Sequence, residues 1–142
     1  MIKILDKLLS IGYLTGSRAF GTHRKDSDYD IVYPINKANE IQDIIKDYEM
    51  VDSNYFAGYV INVEGQDINL IPVHPAEFLP WVLATIAMTA TYKHTGIIDS
   101  IKKYAIFMGM VSMFKGTLDM SMKIDNITSL NKWLKDGQYE PE

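Results

Sequence analysis

The stretch that decides the fold is "LTGSRAFGTHRKDSDYDIVY", Leu14 to Tyr33. Two carboxylates, Asp28 and Asp30, stand one residue apart at the start of a β-branched apolar run. Side chains alternate across a strand, so both carboxylates leave the same face, and Tyr29 and Ile31 turn to the other side, into the core. Carboxylates placed this way can converge on one hard divalent cation. Magnesium typically binds through one or two carboxylates plus substrate phosphates. Gly16 and Ser17 follow the short apolar run "YLT". A glycine after a strand allows backbone amides to approach a phosphate closely. A helix beginning at Ser17 would aim its free amides at an anion, with the Ser17 hydroxyl as a further donor and Arg18 as a possible added charge.

Outward from this stretch, the chain alternates between two periodicities. Ile2, Leu5, Leu8 and Leu9 have helical spacing, and Gly12 closes that helix. "DYDIVYPI" reads as a strand from Asp28 that ends near Pro34. Ile41, Ile44, Ile45 and Tyr48 mark a second amphipathic helix, with Asn36 or Asn39 as its cap. "YFAGYVINVEGQDINLIPVH" reads as a hairpin turning at Glu64-Gly65-Gln66. After His74 the pattern is helical, with Pro75 and Pro80 both expected in a first turn. Thr95-Gly96 interrupts it, a long helix places Ile97, Ile101, Tyr104, Met108 and Val111 on one face, and a short helix lies around Leu130, Trp133 and Leu134. Strands cluster in the first half and helices in the second, which is an α+β layout.

Composition narrows the function classes. At 142 residues the chain is long enough for one domain with a real core. It has no cysteine, which excludes disulfides, thiolate metal sites and thiol nucleophiles and fits a cytoplasmic location. A formal net charge of −4 disfavours duplex DNA as a partner. The N-terminal run is broken by Lys3, Asp6 and Lys7, unlike a signal peptide. The most apolar window, Phe78 to Tyr92, is shorter than the roughly 20 residues of a membrane span and reads as a buried helix. His23, His74 and His94 lack metal-ligand spacing, so zinc is not expected. Most of Lys93, Lys102, Lys103 and Lys115 read as a solvated helix face, and Trp81 reads as core.

Gly16-Ser17, ten intervening residues, then Asp28-x-Asp30 in an apolar frame resembles the signature of the DNA polymerase beta-like nucleotidyltransferase superfamily. Gly16, Ser17, Ala19, Gly21, Ser27, Asp28 and Asp30 match the form seen in its small minimal members, and the layout is similar to that of some phage nucleotidyltransferases. The resemblance is tight over residues 14 to 33 and extends loosely to about residue 74. It implies a minimal nucleotidyltransferase fold: a small mixed β-sheet packed by helices, with a helical C-terminal half. Residues 1–74 would be the core, 75–135 a helical part of the same domain, and 136–142 a flexible tail. It further implies that Asp28 and Asp30 bind Mg2+ bridging a nucleoside triphosphate and that Gly16 and Ser17 hold its phosphates. A nucleotide would pass to an acceptor (small molecule, RNA or protein) with release of pyrophosphate.

The superfamily usually carries a third carboxylate on a later strand, flanked by apolar residues. The matching position here is Asn69, between Ile68 and Leu70. An amide cannot serve as a general base. Asp67, two residues earlier on the same face, would take the role in a different register or else belong to the hairpin turn. The alternative function is therefore a catalytically weak binding or antitoxin-like module with this fold.

Overall fold

The computed structural model describes residues 2–52, 58–95, 100–118, 124 and 126–137. Helix α1 (Ile2–Leu9) leads into strand β1 (Tyr13–Thr15), short helix α2 (Gly16–Phe20) and strand β2 (Tyr29–Pro34). A single 3-10 turn (Ile35–Lys37) precedes α3 (Ala38–Ile45). Then come β3 (Val51–Asp52), the hairpin β4 (Tyr59–Val63) and β5 (Gln66–Val73), and three helices: α4 (Pro75–Thr95), α5 (Ser100–Thr117) and α6 (Ile127–Gly137).

The five strands form one mixed sheet in the order β1-β2-β5-β4-β3. Every neighbouring pair is antiparallel except β2 and β5, which run parallel and pair Asp30 with Asn69. This is the α+β arrangement expected of a minimal nucleotidyltransferase fold.

Side-chain alternation divides the sheet's two faces between two helical layers. Ile31 and Tyr33 of β2 and Ile68 and Leu70 of β5 pack under α1 and α3, against Leu8, Ile41 and Ile45. Val32 of β2 and Ile71 and Val73 of β5 face the other way, against Phe78, Trp81 and Val82 of α4 and Phe107 and Val111 of α5. By the same alternation Asp30 and Asn69 emerge on the α4–α5 face. The polar pair thus continues an apolar stripe at the edge of the larger core.

The hairpin turns on Glu64 (φ 54°) and Gly65 (φ 82°). Two consecutive left-handed residues match the right-handed strand twist. Gln66, expected in the turn, is instead the first residue of β5, because the two-residue turn already closes the ladder at Val63–Gln66.

Other expectations need correction. β2 starts at Tyr29, so Asp28 flanks the strand instead of lying in it. Pro80 lies inside α4, beyond the first turn that Pro75 begins. The N-cap position of α3 is Lys37, with no side-chain cap bond, and neither Asn36 nor Asn39 takes that place. On α5 the buried positions are Phe107 and Val111, whereas Tyr104 is half-exposed at 52%. Asp136 and Gly137, taken as the start of the tail, are the last residues of α6. Residues 138–142, the break at Gly96, the helix position Ile97 and the first residues of the expected hairpin, 55–57, lie outside the described residues. Among the described residues, no helix is long and apolar enough to cross a membrane.

Candidate functional site

The site is built where β1 ends. Thr15 is buried, and its hydroxyl lies 2.7 Å from that of Thr85 on α4. The Thr85 hydroxyl donates its only proton to the Trp81 carbonyl (2.8 Å), so Thr15 must be the donor to Thr85. This chain of hydroxyls ties the end of β1 to the helical half of the molecule. Gly16 follows with φ +71°, a conformation that side chains disfavour. A Cβ at Gly16 would collide with the carboxylate of Asp30. Glycine is thus required here for two reasons, backbone conformation and the close approach of a carboxylate.

Helix α2 ends at Gly21 (φ 87°), whose amide bonds the Ser17 carbonyl at 3.0 Å. The loop that returns to β2 is clamped at several points. Arg18 donates through Nε to the Ser27 carbonyl (3.0 Å) and through a terminal nitrogen to the Lys25 carbonyl (3.1 Å). Its guanidinium also stacks 4.0 Å above the centre of the Tyr29 ring. Gln66 of β5 donates to the same Ser27 carbonyl at 2.7 Å. The Arg24 amide donates to the Ser27 hydroxyl at 2.7 Å. These bonds fix the residue immediately before Asp28.

Asp28 and Asp30 converge on the side chain of Asn69. Its Nδ2 donates to Asp30 Oδ1 at 2.7 Å and to Asp28 Oδ2 at 3.3 Å. Asp30 is held above the usual carboxylate range. Burial is the main cause and the neighbouring Asp28 charge adds to it, against the Asn69 hydrogen bond and the Lys103 charge, which oppose it. Lys103 reaches in from α5, and its Nζ lies 3.5 Å from the Thr22 hydroxyl.

A cavity of about 420 Å³ opens over these groups. Gly16, Ser17, Asp28, Asp30 and Asn69 line its polar side. Phe20, Trp81, Tyr104 and Phe107 line an aromatic side. There the Trp81 and Phe107 rings meet edge to face at 5.0 Å, and Phe20 lies 5.5 Å from Phe107. Trp81, expected as core, is buried and also contributes to this wall.

Two of the sequence candidates stand elsewhere. Arg18 is not among the residues lining the cavity, because its guanidinium is engaged with the loop and with Tyr29. Asp67 is likewise absent from the lining, and its Oδ1 accepts from Asn62 Nδ2 at 2.9 Å beside the hairpin turn. Conversely, Asp26 lines the cavity and was passed over in the sequence. Its signal was the two-residue spacing Asp26, Asp28, Asp30, obscured because it falls in a polar loop. Of the histidines, His23 is exposed and His74 Nδ1 accepts the Ala76 amide at the start of α4 (3.0 Å). The His94 side chain lies outside the described residues.

Comparison with known families gives a match to the nucleotidyltransferase domain over residues 2–108, most of the chain. The chain belongs to the nucleotidyltransferase domain family. The matched region extends beyond the sheet, through α4 and into α5. No curated protein matches the sequence. Among solved structures the chain is similar to "Crystal Structure of ANT(2")-Ia in complex with adenylyl-2"-tobramycin". The identity is 9% and the TM-score 0.44, covering 80% of this chain and 99% of that one.

Asp28 and Asp30 offer carboxylate oxygens, the donor type that a hard divalent cation takes. Among the described residues, no group of three or more histidines or carboxylates converges as a ready-made metal cage. Two carboxylates that share one amide donor beside the cavity could instead serve as ligands of an ion completed by substrate oxygens.

Proposed function

We propose that this nucleotidyltransferase transfers a nucleotide from a magnesium-complexed nucleoside triphosphate to an acceptor, releasing pyrophosphate. The observation that carries the reading is the convergence of Asp28 and Asp30 in one cavity with Gly16 and Ser17. In this reading Asp28 and Asp30 hold the ion. The Gly16–Ser17 backbone and the Ser17 hydroxyl bind phosphate oxygens, and Lys103 adds positive charge from α5. An ion held by Asp28 and Asp30 would supply charge neutralisation for the triphosphate and its leaving pyrophosphate. The aromatic side of the cavity offers stacking surface for a nucleobase, which is tolerant of base identity. An acceptor oxygen would attack the α-phosphorus while the bond to pyrophosphate breaks. In this reading Asp26, which also lines the cavity, would take the proton from the acceptor.

Residues 1–74 are read as the core and 75–135 as a helical part of the same domain, with Thr15, Thr85 and the cavity spanning the join. The absence of cysteine suits a cytoplasmic setting. Asn69 favours a second reading, a nucleotide-binding module with weak turnover, because an amide occupies the position facing both carboxylates.

The two readings separate on turnover. Incubation with magnesium, labelled nucleoside triphosphates and a panel of hydroxyl, phosphate and protein acceptors is expected to release pyrophosphate with at least one acceptor. Binding without release across the whole panel would favour the module.

A further inference from the structure

We propose that Asn69 makes cation binding at this site depend on the nucleotide: its amide holds the two carboxylates together by itself, and a divalent ion displaces it only when triphosphate oxygens arrive too. The inference rests on the reading of Asp28 and Asp30 as the ion's ligands.

The geometry leaves little freedom. Asn69 is paired with Asp30 in the parallel β2–β5 ladder, so its Cα cannot move away from the carboxylates. Nδ2 has two protons and meets two carboxylate oxygens, at 2.7 Å on Asp30 and 3.3 Å on Asp28. The opposite amide orientation would set Oδ1 against both anions, so electrostatics selects the donor orientation. Hydrogen bonds to ionised acceptors are the strong ones. The amide nitrogen therefore takes the point on which the carboxylates converge and compensates part of their mutual repulsion.

An ion arriving alone must break both bonds. It gains two carboxylates, and a neutral amide oxygen only after the Asn69 side chain turns over. An ion arriving with a triphosphate brings phosphate oxygens as further ligands, and these phosphates also meet the Gly16–Ser17 backbone. The second event offsets the lost amide bonds and the first does not. Ion and nucleotide are thus positively coupled, and by thermodynamic reciprocity each strengthens the other equally. A carboxylate at this position would instead favour a resident ion.

The test uses Mn2+ as the probe, with free ion measured by electron paramagnetic resonance on the whole protein. For Mn2+ alone, Asn69→Ala is expected to bind about tenfold tighter than wild type, the order of one charge-assisted hydrogen bond. Asn69→Asp, which keeps the shape and adds a ligand, is expected to bind tighter still. A plain ligand role for Asn69 has the opposite sign, since removing a ligand weakens binding. With a non-hydrolysable α,β-methylene nucleoside triphosphate as the comparison, the two variants should hold Mn2+ without nucleotide at ion concentrations where wild type holds it only with nucleotide. Equal or weaker Mn2+ affinity in both variants, with nucleotide-dependent binding still sensitive to Asp28→Asn/Asp30→Asn, overturns this inference alone. Nucleotide-dependent binding that ignores that double substitution overturns the underlying reading as well.

Discussion

Gly16→Ala is expected to destabilise the protein by about 2–5 kcal/mol, the sum of a left-handed backbone cost of about 1–2 kcal/mol and an overpacking cost of about 1–3 kcal/mol. The first arises because Gly16 has φ +71°. The second arises because the new methyl group would collide with the Asp30 carboxylate. Gly21 provides a matched control. Its φ is +87°, yet a Cβ there meets nothing within 4 Å. Gly21→Ala is therefore expected to lose only the backbone part, about 1–2 kcal/mol. Urea midpoints of the two variants measure the difference. Equal losses would show that the carboxylate does not press on Gly16. Displacement of Asp30 should also weaken nucleotide binding in Gly16→Ala but leave it intact in Gly21→Ala.

Asp30→Asn is expected to stabilise the ligand-free protein while destroying its site. The Asp30 carboxyl is raised in the fold, first by burial and then by Asp28. The folded state thus binds its proton more tightly than the unfolded chain does. Its contribution is fully favourable below the ordinary carboxylate pKa and is lost as pH rises through the higher folded value. At pH 7 the ionised, half-buried carboxylate is a liability that a neutral amide removes. Asn at this position still accepts from Asn69 Nδ2, so the gain should be about 0.5–2 kcal/mol, typical of relieved functional sites. That corresponds to a melting temperature higher by roughly 2–4 °C per kcal/mol for a chain of this size. The gain should shrink as the pH falls below the ordinary carboxylate range, where wild-type Asp30 is protonated. Magnesium–nucleotide binding should fall by about a hundredfold or more, since even the outer partners of metal ligands are worth about 10–100-fold. Thermal melts at pH 7 and pH 3.5, with and without ligand, test both halves. A variant less stable than wild type at pH 7 would contradict the electrostatic account.

The features legible in the sequence are those set by local pattern. Alternation predicted Asp28 and Asp30 on one side, and the family resemblance, through its apolar-flanked slot on a later strand, singled out Asn69, which the register pairs with Asp30. The change from strand to helix after His74 was equally visible, because period and residue type change together. What remained hidden depends on contacts distant in sequence. The role of Arg18 depends on backbone carbonyls of a loop that has no periodicity. Gln66 reaches Ser27 across 39 residues. Asp26 is indistinguishable from a solvated loop residue until that loop is folded back over the cavity. The aromatic wall comes from three helices, α2, α4 and α5, and α4 is apolar on most sides, so no stripe marked Trp81 as a cavity residue. Lys103 had no sequence feature separating it from the solvated Lys102, and only the packing of α5 brings it toward Asp30.

The central claim is that Asp28, Asp30 and the Gly16–Ser17 turn form one magnesium–nucleotide site. Isothermal titration of a non-hydrolysable nucleoside triphosphate, with magnesium and with chelator, tests it most directly in wild type and Asp28→Ala/Asp30→Ala. The account expects saturable, magnesium-dependent binding by wild type and its loss in the double variant, with the circular dichroism spectrum unchanged. Magnesium-independent binding, or equal affinity in a folded double variant, would contradict it.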